Sequence, residues 1–358
     1  MRFADEFRSA VTPRATLLVI GVLALQLLFI ASYVGALHNP TPKDVPFGVV
    51  APVEQAARQA EQRMAKLPGS PLDPRVVADE KTARRQIMDR KIDGALVLDP
   101  RGSKDTLLVA SGGGTVLASA LETIATKVDG AERRSVEKVD VAPASPSDFD
   151  GLSAFYLVVG WCVGGYLCAS IMSISAGSRT SSPQRALIRL GAMAVVSVIG
   201  GIGGSWIIGD SILGALPGSF WGLAGLGALV TFAVGAITLA LEELTGIVGI
   251  GLAVLLVVIA GNPSAGGAFP LPMLPPFWQA IGPWLPPGAG TWAARSIAYF
   301  HGNALTKPLL VLSGWAVLGV VVTLLTTALR ERGRSTARHG TGPARTPGNG
   351  STSANTAP

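Results

Sequence analysis

Over most of this chain apolar residues do not alternate with polar ones; they run unbroken. Residues 15–42, 151–178, 190–209, 211–241, 244–294 and 308–329 contain no Lys, Arg, Asp or Glu. A helix crossing ~30 Å of hydrocarbon needs about 20 mostly apolar residues at 1.5 Å each. The pattern predicts six spans: Thr16–Leu37, Leu152–Gly177, Ala186–Ile208, Phe220–Leu241, Gly246–Gly261 and Pro308–Leu329. The fifth is short. The expected fold class is an α-helical integral membrane protein with six transmembrane helices.

Between the first two spans the pattern changes character. Residues 38–150 hold 16 Lys+Arg and 17 Asp+Glu, a soluble composition. Val45–Val50 reads as a strand entered from a Pro-rich linker. Val53, Ala56, Ala57, Ala60, Met64 and Leu67 follow helical spacing. A Pro/Gly-rich break at 68–74 precedes a helix carrying Val77, Ala83 and Ile87. Ile92–Leu98 and Thr106–Ala110 read as strands, Leu117, Leu121, Ile124 and Val128 as a helix, and Val136–Val141 as a last strand. A small extracytoplasmic α/β domain is thus expected between helices 1 and 2.

Three further segments break the rule of span and loop. Residues 2–14 place Phe3, Phe7 and Val11 four apart, with Arg2, Arg8 and Arg14 on other faces. That suits either an interfacial cytoplasmic helix over 1–15 or a frayed basic end. Residues 262–307 combine repeated Pro, among them Pro275, Pro276, Pro286 and Pro287, with aromatics that include Trp278 and Trp284. Proline forbids a continuous helix and aromatics favour the headgroup layer. Broken helices lying on or dipping into the outer leaflet are expected there. Residues 330–358, rich in Gly, Ser, Thr, Pro and Arg, are expected to form a disordered cytoplasmic tail.

Charge sets the orientation. The chain has 358 residues and a net charge of +6, with only 15% charged residues, too few to coat a soluble protein of this length. Arg2, Arg8, Arg14, Arg179, Arg185, Arg189, Arg330, Arg332, Arg334, Arg338 and Arg345 all fall on one side of a six-span arrangement. Only Arg295 and Lys307 fall in the short segments of the other. Positive residues mark the cytoplasmic side, so both termini are expected there, in the plasma membrane. The excess charge is an orientation signal and gives no reason to expect nucleic acid. Val34-Gly35-Ala36 resembles a signal-peptide cleavage site, but an apolar run of about 22 residues favours a retained anchor.

Candidate chemistry is sparse. No Gly-x-x-x-x-Gly-Lys-Ser/Thr loop occurs, so any ATP is expected on a separate partner and no cofactor in this chain. His38, His301 and His339 lack metal-ligand spacing, and no nucleophile–base pair stands out to make it an enzyme. Ser111-Gly112-Gly113-Gly114-Thr115 reads as a plain turn, with anion cradling as the alternative. Cys162 and Cys168 sit on different faces of one span as packing residues. Gly160 with Gly164, Gly200 with Gly204, and Gly218 with Gly222 keep GxxxG spacing, which supports tight helix packing or dimerisation. Glu242 and Glu243 either face Arg179, Arg185 or Arg189 across the cytoplasmic side or mark a solvated turn.

An anchor span leading into Pro46-Phe47-Gly48-Val49-Val50, then Ala83–Pro100 (ARRQIMDRKIDGALVLDP), then Leu274–Phe300 (LPPFWQAIGPWLPPGAGTWAARSIAYF) before the last span form an ordered set. With one span, an outer domain and five more spans, residues 15–330 resemble the type-2 ABC exporter permease family, including its phage-infection-protein relatives. The resemblance implies a half-transporter that pairs with itself or a sister permease in the lipid bilayer and recruits a separate ATP-binding-cassette ATPase. It places the ATPase contacts at Arg2–Arg14 and at the second-to-third loop; Arg179, Arg185, Arg189, Glu242 and Glu243 form the candidate coupling set. It places re-entrant helices over Pro272–Phe300. The loop at 178–185 is short and Pro-interrupted, unlike a regular coupling helix. The expected function is export of an amphipathic or lipid-like substrate along an uncharged, Gly-lined path. The alternative is an ATPase-independent receptor or secretion-accessory protein whose outer domain binds a partner.

Overall fold

A computed structural model describes residues 12–177, 180 and 182–340, with backbone alone for Arg14 and 334–340. Residues 1–11, Arg179 and the chain beyond Gly340 lie outside the described residues, and with them most of the expected interfacial helix and tail.

The first element, α1 (Pro13–Leu37), starts where the Thr12 hydroxyl accepts from Ala15 N at 3.2 Å. It leads into the α/β domain expected on the outer side and called the outer domain for that expectation: β1 (Val45–Val50), α2 (Glu54–Ala65), β2 (Leu72–Val76), α3 (Glu80–Met88), β3 (Gly94–Val97), β4 (Lys104–Val109), α4 (Thr115–Ala131) and β5 (Ser135–Asp140). The sheet runs β2-β1-β3-β4-β5; only β3–β4 is antiparallel. Central strands covered on both faces read as continuous apolar runs, as β1 does. Val45, Phe47 and Val49 pack on one face with Met64, Leu117 and Leu121. Val50, Ala95 and Leu108 pack on the other with Ala83, Ile87 and Ile92. Strand β2 falls in the stretch read as a Pro/Gly break. Its Pro74 is tolerated because β2 is an edge strand, where a missing N–H leaves no ladder bond unmade.

The remaining helices are α5 (Ser153–Ala176), α6 (Pro183–Ile208), α7 (Phe220–Thr245), α8 (Val248–Val254), α9 (Pro276–Ile281), α10 (Pro286–Tyr299) and α11 (Thr306–Gly340). Five helices, α1, α5, α6, α7 and α11, are long and apolar enough to cross a membrane. The expected fifth span is different: α8 continues as a wider π-helical turn over Leu255–Gly261, a shorter apolar helix than the other five. The last helix also runs past Leu329 to Gly340, so residues 330–340 are helical where a disordered tail was expected.

Helix α7 is the axis of the bundle. Of its apolar window 78% is buried, against 6% for α1. It packs on α5, α6 and α11 through small residues. A Cβ on Gly165 would lie 2.7 Å from Thr231 O, and one on Gly201 2.6 Å from Ala228 N, so both backbones touch α7 directly. The GxxxG pairs divide. Gly160 and Gly164 have nothing within 4 Å and, with Gly200 and Gly204, line an apolar groove of about 420 Å³ between α5 and α6. Gly204 still packs on Trp161, and Gly218 and Gly222 close on α10, where a Cβ on Gly218 would lie 2.6 Å from Ile297 O.

Segment 262–285 binds the two parts together. Its Met273 and Phe269 complete the outer-domain core, and Pro272 O accepts from Lys43 N at 2.9 Å. Broken short helices occupy this region as expected, and α10 then packs among α5, α7 and α11.

Candidate functional site

The two ends of the bundle each carry buried charge. At the outer end, α10 presents Trp292, Arg295, Ser296 and Tyr299 at offsets of three, four and seven residues, one face of a helix. The outer domain rests on that face. Arg90 follows α3 in a left-handed conformation (φ 57°), and its Nη1 donates to Trp292 O and Ser296 Oγ, both at 2.8 Å. Its guanidinium lies 3.4 Å from the Trp292 ring centroid and 4.7 Å from that of Phe300, a cation–π sandwich. Asn303 Nδ2 donates to Met88 O at 3.0 Å. The Tyr299 hydroxyl donates to Asp148 Oδ2 at 2.6 Å, while Asp148 Oδ1 accepts from Ser153 N at 2.7 Å at the start of α5. The glycine run completes the joint as packing: a Cβ on Gly112 would meet Tyr299 Cβ at 2.7 Å, and Gly113 faces Phe300.

Arg295 is 3% exposed. Its Nη1 donates to Gly266 O at 2.6 Å, and its Nη2 to Gly267 O at 2.8 Å and Gly151 O at 3.0 Å. Its Nε–H has no acceptor, and no ion pair to it occurs among the described residues. Arg295 pins the start of α5 and the 266–267 backbone to α10.

Between these groups lies a cavity of about 460 Å³. Its walls are largely apolar, with Ala265, Leu271, Pro283 and Ala289 among them. Its charged lining is Arg90, Arg295 and Lys307 against the single carboxylate Asp93. Burial pushes the Asp93 carboxyl up to about 6 despite the nearby Arg90. Burial and Arg295 lower Arg90 to about 9, leaving it cationic at neutral pH. Lys307 stands at the start of α11, 5.0 Å over the ring of Trp284, which is 59% exposed.

At the inner end, Glu242 and Glu243 are 0% and 2% exposed, so the solvated-turn reading is wrong. Among the described residues their hydrogen bonds go elsewhere than to the expected arginines, although Arg189 acts on Glu242 electrostatically. Ser173 Oγ donates to Glu242 Oε2. Glu243 accepts from Thr180 N at 2.6 Å and from Arg330 Nη1 at 3.1 Å, and Arg330 Nη2 donates to its carbonyl. Thr180 and Thr327 share a 3.0 Å hydrogen bond. Glu243 is thus held both by Thr180 of the second-to-third loop and by Arg330, a residue expected in the tail. Arg189 bonds Ala176 O at 3.1 Å and Gly177 O at 2.7 Å, closing the end of α5. Arg185 is exposed in the first turn of α6, where Ser182 caps the helix. Arg179 lies outside the described residues.

The expected outer segment is placed as follows. Pro275 and Pro276 open α9, Trp278 is half-buried edge-on to Phe277, and Pro286 and Pro287 open α10 in the interior. Of these residues only Trp284 reaches the cavity mouth, through Lys307. Sequence reasoning missed Arg90, Asp93, Arg295 and Tyr299. Arg295 carried a signal, being the one charge between Glu243 and Lys307; Arg90 carried none, since its contact joins residues 202 apart. Among the described residues no cluster of His, Cys, Asp and Glu is placed to hold a metal. No protein-family model matches the chain, and no curated protein or solved structure is significantly similar to it.

Proposed function

We propose that this chain is the membrane-embedded permease subunit of an ATP-driven exporter of the type-2 ABC kind, moving an amphipathic or lipid-like substrate across the plasma membrane. The observation that carries the reading is the path of the chain. Gly249 abuts the Glu242 backbone at the inner end, whereas Met273 sits in the outer-domain core. Residues 248–273 therefore lead from one end of the bundle to the other. About 21 Å of helix over Val248–Gly261 is too short alone, and the irregular residues after it supply the rest. Non-helical backbone is tolerated at membrane depth where protein covers it, and residues 262–267 are almost wholly buried. This makes the sixth crossing, with α10 as the re-entrant helix and both termini cytoplasmic.

In this reading an ATPase on the cytoplasmic side acts on the inner end, where α7, α11 and Thr180 are tied through Glu243. Movement of α11 reaches the outer end directly, because Thr306 and Lys307 at its start line the outer cavity. The chain pairs with a second copy or a sister subunit. The test is purification of the full-length chain from its native membrane in mild detergent. The expected result is a co-purifying ATP-binding-cassette subunit whose hydrolysis the chain stimulates. An absent ATPase together with capture of an envelope partner by the outer domain would replace this reading with an ATPase-independent accessory role.

A further inference from the structure

The outer cavity is built for a ligand with two chemistries. Most of its wall is apolar, which suits a hydrocarbon group and gives a polar small molecule few partners. Its charges are three cations against one carboxylate. An isolated buried charge is expensive unless it is paired, yet Arg295 is 3% exposed and its Nε–H has no acceptor. Its three carbonyl contacts satisfy hydrogen bonds without neutralising it, and the nearby Asp148, already held by the Tyr299 hydroxyl and Ser153 N, offsets part of the charge without pairing with it. The α11 N-terminus at Thr306 adds the positive end of a helix dipole to the same wall. An oxyanion seated here answers all of these at once.

The mouth identifies where such an anion comes from. Lys307 of the cavity lining stacks over Trp284, which is 59% exposed. An exposed tryptophan beside a lysine at the head of an apolar helix marks the headgroup level of a bilayer. A freely soluble anion has no use for that rim. We propose that this cavity binds the acidic head of an amphiphile, a phosphate or carboxylate carried by a lipid, with Lys307 and the start of α11 contacting the oxyanion, Arg90 and Arg295 supplying the field, and the apolar tail leaving past Trp284. Asp93 is the opposing charge in the lining.

Binding needs neither ATP nor a partner; that the bound amphiphile is the exported cargo rests on the exporter reading above. The two fail separately: loss of the ATPase partnership leaves the binding site standing, and loss of lipid binding leaves an ATPase partnership standing.

The experiment uses the full-length chain, without nucleotide, in detergent micelles supplied with phosphatidylglycerol, phosphatidylcholine or inorganic phosphate. Native mass spectrometry counts retained lipid and tryptophan fluorescence follows the titration. Phosphatidylglycerol is expected to bind about tenfold or more tighter than phosphatidylcholine, as one charge-assisted contact provides, with no competition from millimolar phosphate. Lys307→Glu, at an exposed position that leaves folding intact, is expected to abolish the preference, and Lys307→Arg to retain it. Arg295→Gln, scored only where its thermal melt shows a folded protein, is expected to weaken binding about tenfold. Equal retention of the two lipids, wild-type preference in Lys307→Glu, or phosphate competing at the lipid's own affinity would each overturn the proposal.

Discussion

The inner and outer ends of the bundle bury charge in opposite ways. At the inner end Glu243 meets Arg330, Thr180 N and a helix end, so its charge is balanced within the chain. At the outer end Arg295 and Arg90 bond only carbonyls, a hydroxyl and ring faces; Asp148 acts on Arg295 without an ion pair, and Asp93 is the one carboxylate in the cavity lining. The Glu243–Arg330 pair is closed and joins helices, while beside it Glu242 keeps one buried oxygen without a partner. An unsaturated cluster keeps a share of its electrostatic energy for something that arrives. The difference separates the Glu243–Arg330 tie from a site open to a ligand, although both join arginine and carboxylate at buried and partly buried positions.

The largest expected effect breaks the tie. Arg330→Ala leaves the buried Glu243 without its half-buried cation, which costs about 2–3 kcal/mol, toward the low end for breaking a pair whose arginine still meets solvent. The thermal unfolding temperature of the purified chain should fall steeply, and Arg330→Lys should recover part of the loss. If the inner cluster were loosely hydrated, both variants would melt like the parent.

A middle-sized effect probes the outer end through pH. Asp93 holds its proton up to about 6 in the folded protein, above its ordinary value of 3.8. The folded state therefore binds more protons than the unfolded state over that interval, and stability falls as pH rises from about 4 to about 6. Asp93→Asn removes that dependence, so its advantage over the parent should grow across this window by about 2 kcal/mol. Anionic lipid should bind the parent more tightly at pH 5 than at pH 7.5, because protonation removes the one opposing charge in the cavity lining. Asp93→Asn should be insensitive over the same range. Parallel melting curves for the two proteins would contradict the assignment.

The smallest effect concerns the joint between domain and bundle. Tyr299→Phe loses the bond to Asp148, worth about 1–2 kcal/mol for a donor to a charged acceptor, while Ser153 N still serves the carboxylate. Hydrogen exchange should rise around Ser145 and the start of α5 and stay unchanged at Arg330.

Most of the outer domain is legible in periodicity, because its strands and helices hide one side and wet the other. Strand β2 is not, since Pro71 and Pro74 read as a break and only its edge position excuses them. The long spans are legible from absence of charge alone, which does not tell α7, enclosed on all sides, from α1, which is bare. The 248–261 helix falls within two residues of the expected Gly246–Gly261, but its π-helical second half leaves no mark in a charge-free run. Glu242 and Glu243 look like a wet turn because adjacent carboxylates usually are; burial depends on Arg330, a residue that composition assigned to a tail. At the outer site Arg295 was visible as a lone charge in an apolar stretch. Its meaning was not, because Arg90 and Asp93 arrive from a different domain.

The most direct measurement is of ATP hydrolysis by a co-purifying ATPase, with and without the chain, in vesicles of pure phosphatidylcholine and in vesicles containing phosphatidylglycerol. The account predicts hydrolysis that the chain stimulates, that rises further with the acidic lipid, and that loses this second increment in Lys307→Glu. Hydrolysis indifferent to the presence of the chain, in either lipid, would contradict it.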